Sequence, residues 1–125
     1  MDESSRISIV DDDPSVLRAL GRLCKSAGYL VESYNSAEAF LDSGDPAHSA
    51  CLILDVHLPG QSGLELQKVL RRTDKDLPIV FVTAFDDEDV RTDALERGAA
   101  AFLSKPLNSE RLLDAISGAI GHAAD

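Results

Sequence analysis

Cys51-Leu52-Ile53-Leu54-Asp55-Val56-His57-Leu58-Pro59-Gly60 sets an unbroken apolar run directly against a carboxylate. Cys51–Leu54 shows no polar alternation, which reads as a β-strand covered on both faces. Three more short apolar runs behave alike. Ile7–Val10 is followed by Asp11 and Asp12, Ile79–Val82 by Thr83, and Ala101–Leu103 closely by Lys105. In an open parallel sheet, residues just past the strands' carboxyl ends converge on one crevice. Three carboxylates, a hydroxyl and an ammonium would then share a pocket. Carboxylates hold a hard divalent cation, while a hydroxyl and an ammonium hold an oxyanion. The set points to phosphoryl chemistry on an aspartate.

Helix-period segments fill the intervals. Asp13 is placed to cap a helix opening at Pro14, with Val16, Leu20, Leu23 and Ala27 on one face and Gly28 at the end. Leu30–Tyr34 mixes polar and apolar residues, as an edge strand does. Ser36 opens a short helix carrying Phe40 and Leu41, stopped by Gly44, and Asp45-Pro46 is a turn. Pro59–Gly63 is a loop, and Ser62 with Glu65 fits a capping box for a helix burying Leu66, Val69 and Leu70. Asp86–Arg97 reads as an acidic helix ending at Gly98, and Ala99–Leu103 as the last strand. Asn108 or Ser109 caps a final helix with Leu112, Leu113, Ile116 and Ile120 inward. Five strands alternating with five helices predict an α/β fold, a doubly wound parallel sheet with helices on both faces.

At 125 residues the expectation is a single domain over 1–125. A formal charge of −10 repels nucleic acid and anionic membranes, so direct contact with either is not expected. No apolar run approaches the roughly 20 residues of a membrane span. The amino terminus lacks the apolar stretch of a secretion signal, so a cytoplasmic protein is expected. Cys24 and Cys51 have neither a second cysteine nor a histidine at ligand spacing, and read as reduced, packed thiols. His48, His57 and His122 are scattered and form no metal triad.

Four pieces of the chain, in order and at their spacing, resemble the receiver domain of two-component response regulators. They are Ile9-Val10-Asp11-Asp12-Asp13, Leu54–Gly60, Val82-Thr83-Ala84 and Lys105-Pro106, within a match running from about Arg6 to Ile120. The resemblance implies a sheet of order 2-1-3-4-5. It implies that Asp55 accepts a phosphoryl group from a sensor histidine kinase or phosphotransfer protein. It also implies Mg2+ bound directly by Asp12 and Asp55, largely through water by Asp11, and by the backbone carbonyl of His57. Lys105 would pair with Asp55 and then with a phosphoryl oxygen, across a Lys105–Pro106 bond that is typically cis in such domains. Thr83 would bind the phosphoryl group, and Phe102 matches an aromatic switch position. The output would be a changed surface of the fourth helix, fifth strand and fifth helix, about Asp87 to Gly121, binding an output partner or a second receiver as a homodimer. Such a domain assists its own phosphorylation and dephosphorylation but is not a turnover enzyme. The phrases Ser36–Leu41 and Asp55–Pro59 resemble receivers joined to helix-turn-helix output domains, an analogy that leaves a stand-alone receiver open.

Each residue also has a plainer reading. Asp11 to Asp13 make a capping cluster, and Asp55 an ordinary loop aspartate. Lys105 snorkels at the surface, Thr83 finishes a strand, Phe102 fills the core, and Gly60 and Gly63 make a generic turn. His57 and Phe85 stand two residues beyond Asp55 and Thr83, where the family tunes water access and dephosphorylation, yet His57 reads better as a solvent-exposed bystander. Two other function classes compete. One is an Asp-nucleophile, Mg2+-dependent phosphohydrolase, for which 125 residues leave little room for a substrate pocket or cap domain. The other is a receiver-like binding module that works without phosphorylation, against which the complete acidic, hydroxyl and lysine set argues.

Overall fold

A computed structural model of the chain describes residues 5–43, 48–73 and 76–124. The strands are β1 (Arg6–Val10), β2 (Leu30–Tyr34), β3 (Cys51–Asp55), β4 (Ile79–Thr83) and β5 (Ala101–Ser104). Between and after them run α1 (Pro14–Ser26), α2 (Ala37–Ser43), α3 (Gly63–Thr73), α4 (Glu88–Glu96) and α5 (Ser109–Ala124). Every pairing is parallel and the order is β2-β1-β3-β4-β5, the doubly wound α/β sheet expected. The chain steps outward from β1 to β2, then crosses back to start β3 on the other side of β1. That reversal opens a crevice at the carboxyl ends of β1 and β3. The register pairs Val10 with Leu54, Asp55 with Val82 and Thr83 with Ser104, so the strand ends emerge at nearly one level.

Strand side chains alternate between two cores. Leu52, Leu54, Ile79 and Phe81 join Phe40, Leu66, Leu70, Ala94 and Phe102 on the α2–α3–α4 face. Cys51, Ile53, Val80 and Val82 join Ile7, Ile9, Leu20, Cys24, Leu112 and Ile116 on the α1–α5 face. All residues of β3 and β4 are buried, which is why their sequences carry no polar alternation. β2 is the half-exposed edge that its mixed sequence predicts.

The helix starts follow local capping chemistry. Asp13 Oδ1 accepts the Ser15 amide at 2.9 Å. Ser62 Oγ accepts the Glu65 amide and Glu65 Oε1 the Ser62 amide, a reciprocal box. Asn108, not Ser109, caps α5, through the Arg111 amide at 3.0 Å. Some expectations shift. α1 ends at Ser26 and Ala27 is exposed, with Cys24 holding the inward position instead. Leu41 is 39% exposed although Phe40 beside it is fully buried. α4 begins at Glu88 because Asp87 is its cap, accepting the Asp89 and Val90 amides. Ala99 is not in β5: its amide bonds back to the Ala94 carbonyl and finishes α4. The expected stop at Gly44 and turn at Asp45-Pro46 lie outside the described residues.

α4 is the least greased of the helices flanking the crevice. Ala94 is its one buried residue. Half-buried Val90 packs beside it, and polar side chains from α3 add to the attachment. The Gln67 amide donates to the Ala94 carbonyl at 3.0 Å. The Arg71 guanidinium donates to the Arg97 and Gly98 carbonyls just past the helix end and to the Leu77 carbonyl.

Candidate functional site

The strand ends bring the predicted residues together. Asp11 and Asp55 are buried carboxylates, 1% and 5% exposed, and Asp12 faces solvent. Lys105, from the turn after β5, places its ammonium 3.0 Å from Asp11 Oδ2 and 3.4 Å from Asp55 Oδ2. The second oxygen of each buried carboxylate rests on a local amide. Asp13 N–H donates to Asp11 Oδ1 at 2.9 Å, and His57 N–H to Asp55 Oδ1 at 3.1 Å. Each acid is therefore fixed at both oxygens, one by backbone and one by the shared lysine. The resemblance pairs Lys105 with Asp55, yet the shorter contact of the ammonium is to Asp11. The Lys105–Pro106 peptide is cis, as the resemblance implies.

The charges oppose one another. Burial raises the Asp55 pKa above the ordinary carboxyl value, and the Asp11 charge raises it further. The His57 amide and Lys105 pull it back only in part. Burial acts to lower the Lys105 pKa, but the Asp11 hydrogen bond and the charges of Asp55 and Asp11 outweigh it, leaving it raised. Asp11, Asp12 and Asp55 each present an oxygen, and these oxygens lie within 4.8 Å of one another. At that distance two unit charges repel by about 3.5 kcal/mol at an effective dielectric near 20. Three hard oxygen donors whose negative charge one lysine offsets only in part, one of them exposed to water, suit Mg2+, which keeps several waters in its shell.

Thr83 ends β4 fully buried. Its hydroxyl donates to the Phe85 carbonyl at 3.0 Å and accepts the Phe85 amide at 3.1 Å, so it is committed to its own turn rather than to the carboxylates. Ala84 beside it is exposed. Phe85 is 68% exposed at the rim and meets the His57 ring edge-on, centroids 5.4 Å apart. Phe102 is buried, its ring tilted against Phe81 with centroids 6.1 Å apart, so this residue fills the core as its plainer reading has it.

Gly63 has a role that a turn does not explain. A Cβ there would stand 2.2 Å from the Asp55 carbonyl oxygen and 3.0 Å from Val56 Cα. The first residue of α3 is seated directly on the end of β3, with the Gly63 amide bonded to the Val56 carbonyl. Gly60, with φ +75°, is the residue in the same loop that the left-handed backbone requires. Glu38 of α2 ties this loop down by accepting the Gln61 amide at 2.9 Å. Sequence reasoning misses Glu38, and it misses Arg91 of α4, whose guanidinium donates to the Phe102 carbonyl. Their partners are 23 and 11 residues away, beyond any helix-spacing rule.

A doubly wound sheet thus brings an acidic cluster, a lysine and a hydroxyl to its switch point, a donor set suited to a hard cation beside an oxyanion. The chain matches the family model described as response regulator receiver domain over residues 7–117, and it belongs to that family. It is thus a receiver domain of two-component signalling rather than a turnover enzyme. The response regulator TodT of Pseudomonas putida is 40% identical over 119 residues, covering 95% of this chain and 52% of that protein. The transcriptional regulatory protein FixJ of Azorhizobium caulinodans is 36% identical over 125 residues, covering 100% of this chain and 59% of that one. The chain spans little more than half the length of these curated relatives. Among solved structures, response regulator StyR superposes with a TM-score of 0.89 at 40% identity, covering 98% of this chain and 62% of that chain. A CheY-like receiver from Methanospirillum hungatei JF-1 gives 0.90 at 26% identity, covering 98% of both. Among the described residues, no helix is long and apolar enough to cross a membrane.

Proposed function

We propose that Asp55 accepts a phosphoryl group from the phosphohistidine of a sensor kinase or phosphotransfer protein, in the cytoplasm. The observation that carries this reading is the placement of Asp55: buried at the end of β3, 3.4 Å from Lys105 and within the three-acid group. An Asp55 oxygen attacks phosphorus, the P–N bond to the donor imidazole breaks, and an acyl phosphate forms. Asp11, Asp12 and Asp55, with the His57 carbonyl, would hold Mg2+. When bound, that ion supplies positive charge against the carboxylates and the transferring phosphoryl oxygens. Lys105 exchanges its carboxylate contacts for a phosphoryl oxygen, and the Thr83 hydroxyl leaves Phe85 to donate to another. These contacts exist in one arrangement of the β4–α4 loop only, so phosphorylation favours it. Moving such an equilibrium from 1:99 to 99:1 takes about 5.5 kcal/mol.

The face altered is that of α4, β5 and α5, with Phe102 beneath it. This face would engage an output partner or a second receiver. The curated relatives are regulators of nearly twice this length, which supports an output region elsewhere in the same protein. Hydrolysis of the acyl phosphate, assisted by the same residues, resets the domain. The test is labelling by acetyl phosphate with Mg2+. Wild type takes up about one equivalent of hydroxylamine-sensitive phosphate, as a single acyl phosphate requires, and Asp55→Asn takes up none. Undiminished sensitive label in Asp55→Asn refutes the assignment.

A further inference from the structure

The Thr83 turn is tied to α4 and β5 by a chain of contacts that the phosphoacceptor reading does not use. The Phe85 carbonyl that holds the Thr83 hydroxyl belongs to the same peptide unit as the Asp86 amide. Asp86 Oδ1 receives Arg91 Nη2 of α4 at 2.9 Å. Arg91 Nη1 donates to the Phe102 carbonyl at 3.3 Å, and the guanidinium lies 5.0 Å from the centre of the Phe102 ring. The Asp86 carboxyl is held below its usual range, chiefly by Arg91 and more weakly by the Ser104 hydroxyl. One guanidinium therefore clasps the loop after Thr83, the strand that leads to Lys105, and the aromatic at the switch position.

For Thr83 to turn toward a phosphoryl group it must release the Phe85 carbonyl. The Phe85–Asp86 peptide, freed on its carbonyl side, joins that carbonyl to the residue whose carboxylate Arg91 holds. We propose that Asp86 and Arg91 are positioning residues that favour the unphosphorylated arrangement, so that breaking their contact raises the domain's affinity for a phosphoryl group. This rests on the phosphoacceptor reading, and it adds a residue pair that sets the bias of the switch. The apparent affinity for a phosphoryl mimic scales with the fraction of molecules already in the competent arrangement. An exposed ion pair and a single cation–π contact at the edge of the core are each modest, so the bias is adjustable rather than absolute.

The test is titration with beryllofluoride and Mg2+, with the metal-free protein followed in parallel by NMR at the Thr83 methyl and the Phe102 ring. Asp86→Asn and Arg91→Gln are each expected to tighten beryllofluoride binding about fivefold, the scale on which an exposed ion pair or cation–π contact acts. The double variant should gain no more than either alone, because both remove the same link. Arg91→Lys, which keeps the charge but has a single nitrogen for the two contacts, should fall between Arg91→Gln and wild type. Asp93→Asn, which breaks the exposed pair with Arg97 at the far end of the same helix, should change nothing. In the metal-free variants the Thr83 and Phe102 signals should move toward their positions in beryllofluoride-bound wild type, a change that mere loosening of α4 does not produce. Unchanged or weakened affinity in both single variants, or gains that multiply in the double variant, would overturn the proposal. Failure of wild type itself to bind beryllofluoride would instead overturn the phosphoacceptor reading.

Discussion

Replacing Gly63 by alanine tests the seating of α3 on the acceptor strand. Gly63 opens a helix, where alanine is ordinarily favoured by up to about 1 kcal/mol. Here the added methyl would stand 2.2 Å from the Asp55 carbonyl oxygen, about 0.8 Å inside the 3.0 Å that real Cβ contacts respect. The obstacle is backbone on both sides, Asp55 and Val56, so no side chain can swing aside. Either α3 lifts or the end of β3 bends. Overpacking of this kind costs about 1–3 kcal/mol beyond what the helix gains. Gly118→Ala in α5 is the matched control, since nothing lies within 4 Å of its Cβ position. It should stabilise by about 0.5–1 kcal/mol. Urea unfolding of the two variants should therefore move in opposite directions, separated by about 1.5–4 kcal/mol. Gly63→Ala should also weaken Mg2+ binding, because the displaced backbone carries Asp55. A Gly63→Ala protein as stable as Gly118→Ala, with wild-type Mg2+ affinity, would refute the reasoning.

Two further outcomes are expected from the site and the core. Since Asp55 has a raised pKa, the folded state holds its proton more tightly than the unfolded state does. Metal-free stability should then fall as pH rises from the ordinary carboxyl value of 3.8 through the raised one, and Asp55→Asn should flatten that fall. Lys105 gives the same sign at the other end: its stabilisation is present at neutral pH and is lost as pH climbs above 10.5 through its raised value. Both slopes can be read from urea midpoints across pH. The thiols of Cys24 and Cys51 are pushed up to about 11 and about 12 by burial. Neither should react with a disulfide reagent at about pH 8 until the chain is unfolded; rapid labelling of the folded protein would contradict this packing.

What the sequence makes legible is what local chemistry or simple periodicity decides. The buried runs of β3 and β4, the caps at Asp13 and Ser62, and the convergence of Asp11, Asp55 and Lys105 all follow from short patterns. Contacts set by three-dimensional approach do not. The seating of Gly63 depends on where α3 lands against Asp55, which no spacing encodes. Lys105 favours Asp11 over Asp55 by a few tenths of an ångström, a matter of how two strand ends are offset. The Thr83 hydroxyl chooses its own turn because its loop folds back on Phe85. Arg91 reaches from its helix to the Phe102 carbonyl in the neighbouring strand, leaving no motif. Ala99 reads as strand by composition, yet the helix end claims its amide.

α4 sits on its face of the sheet through buried Ala94, half-buried Val90, its own Arg91 and a few carbonyl-seeking side chains of α3. A segment attached in this way buries less apolar surface than its neighbours and leaves most of its residues facing water. Its outward residues are therefore open to wholesale substitution without endangering the architecture beneath. A lineage can rewrite what this helix recognises while the acid pocket and the opposite, well-oiled face stay as they are.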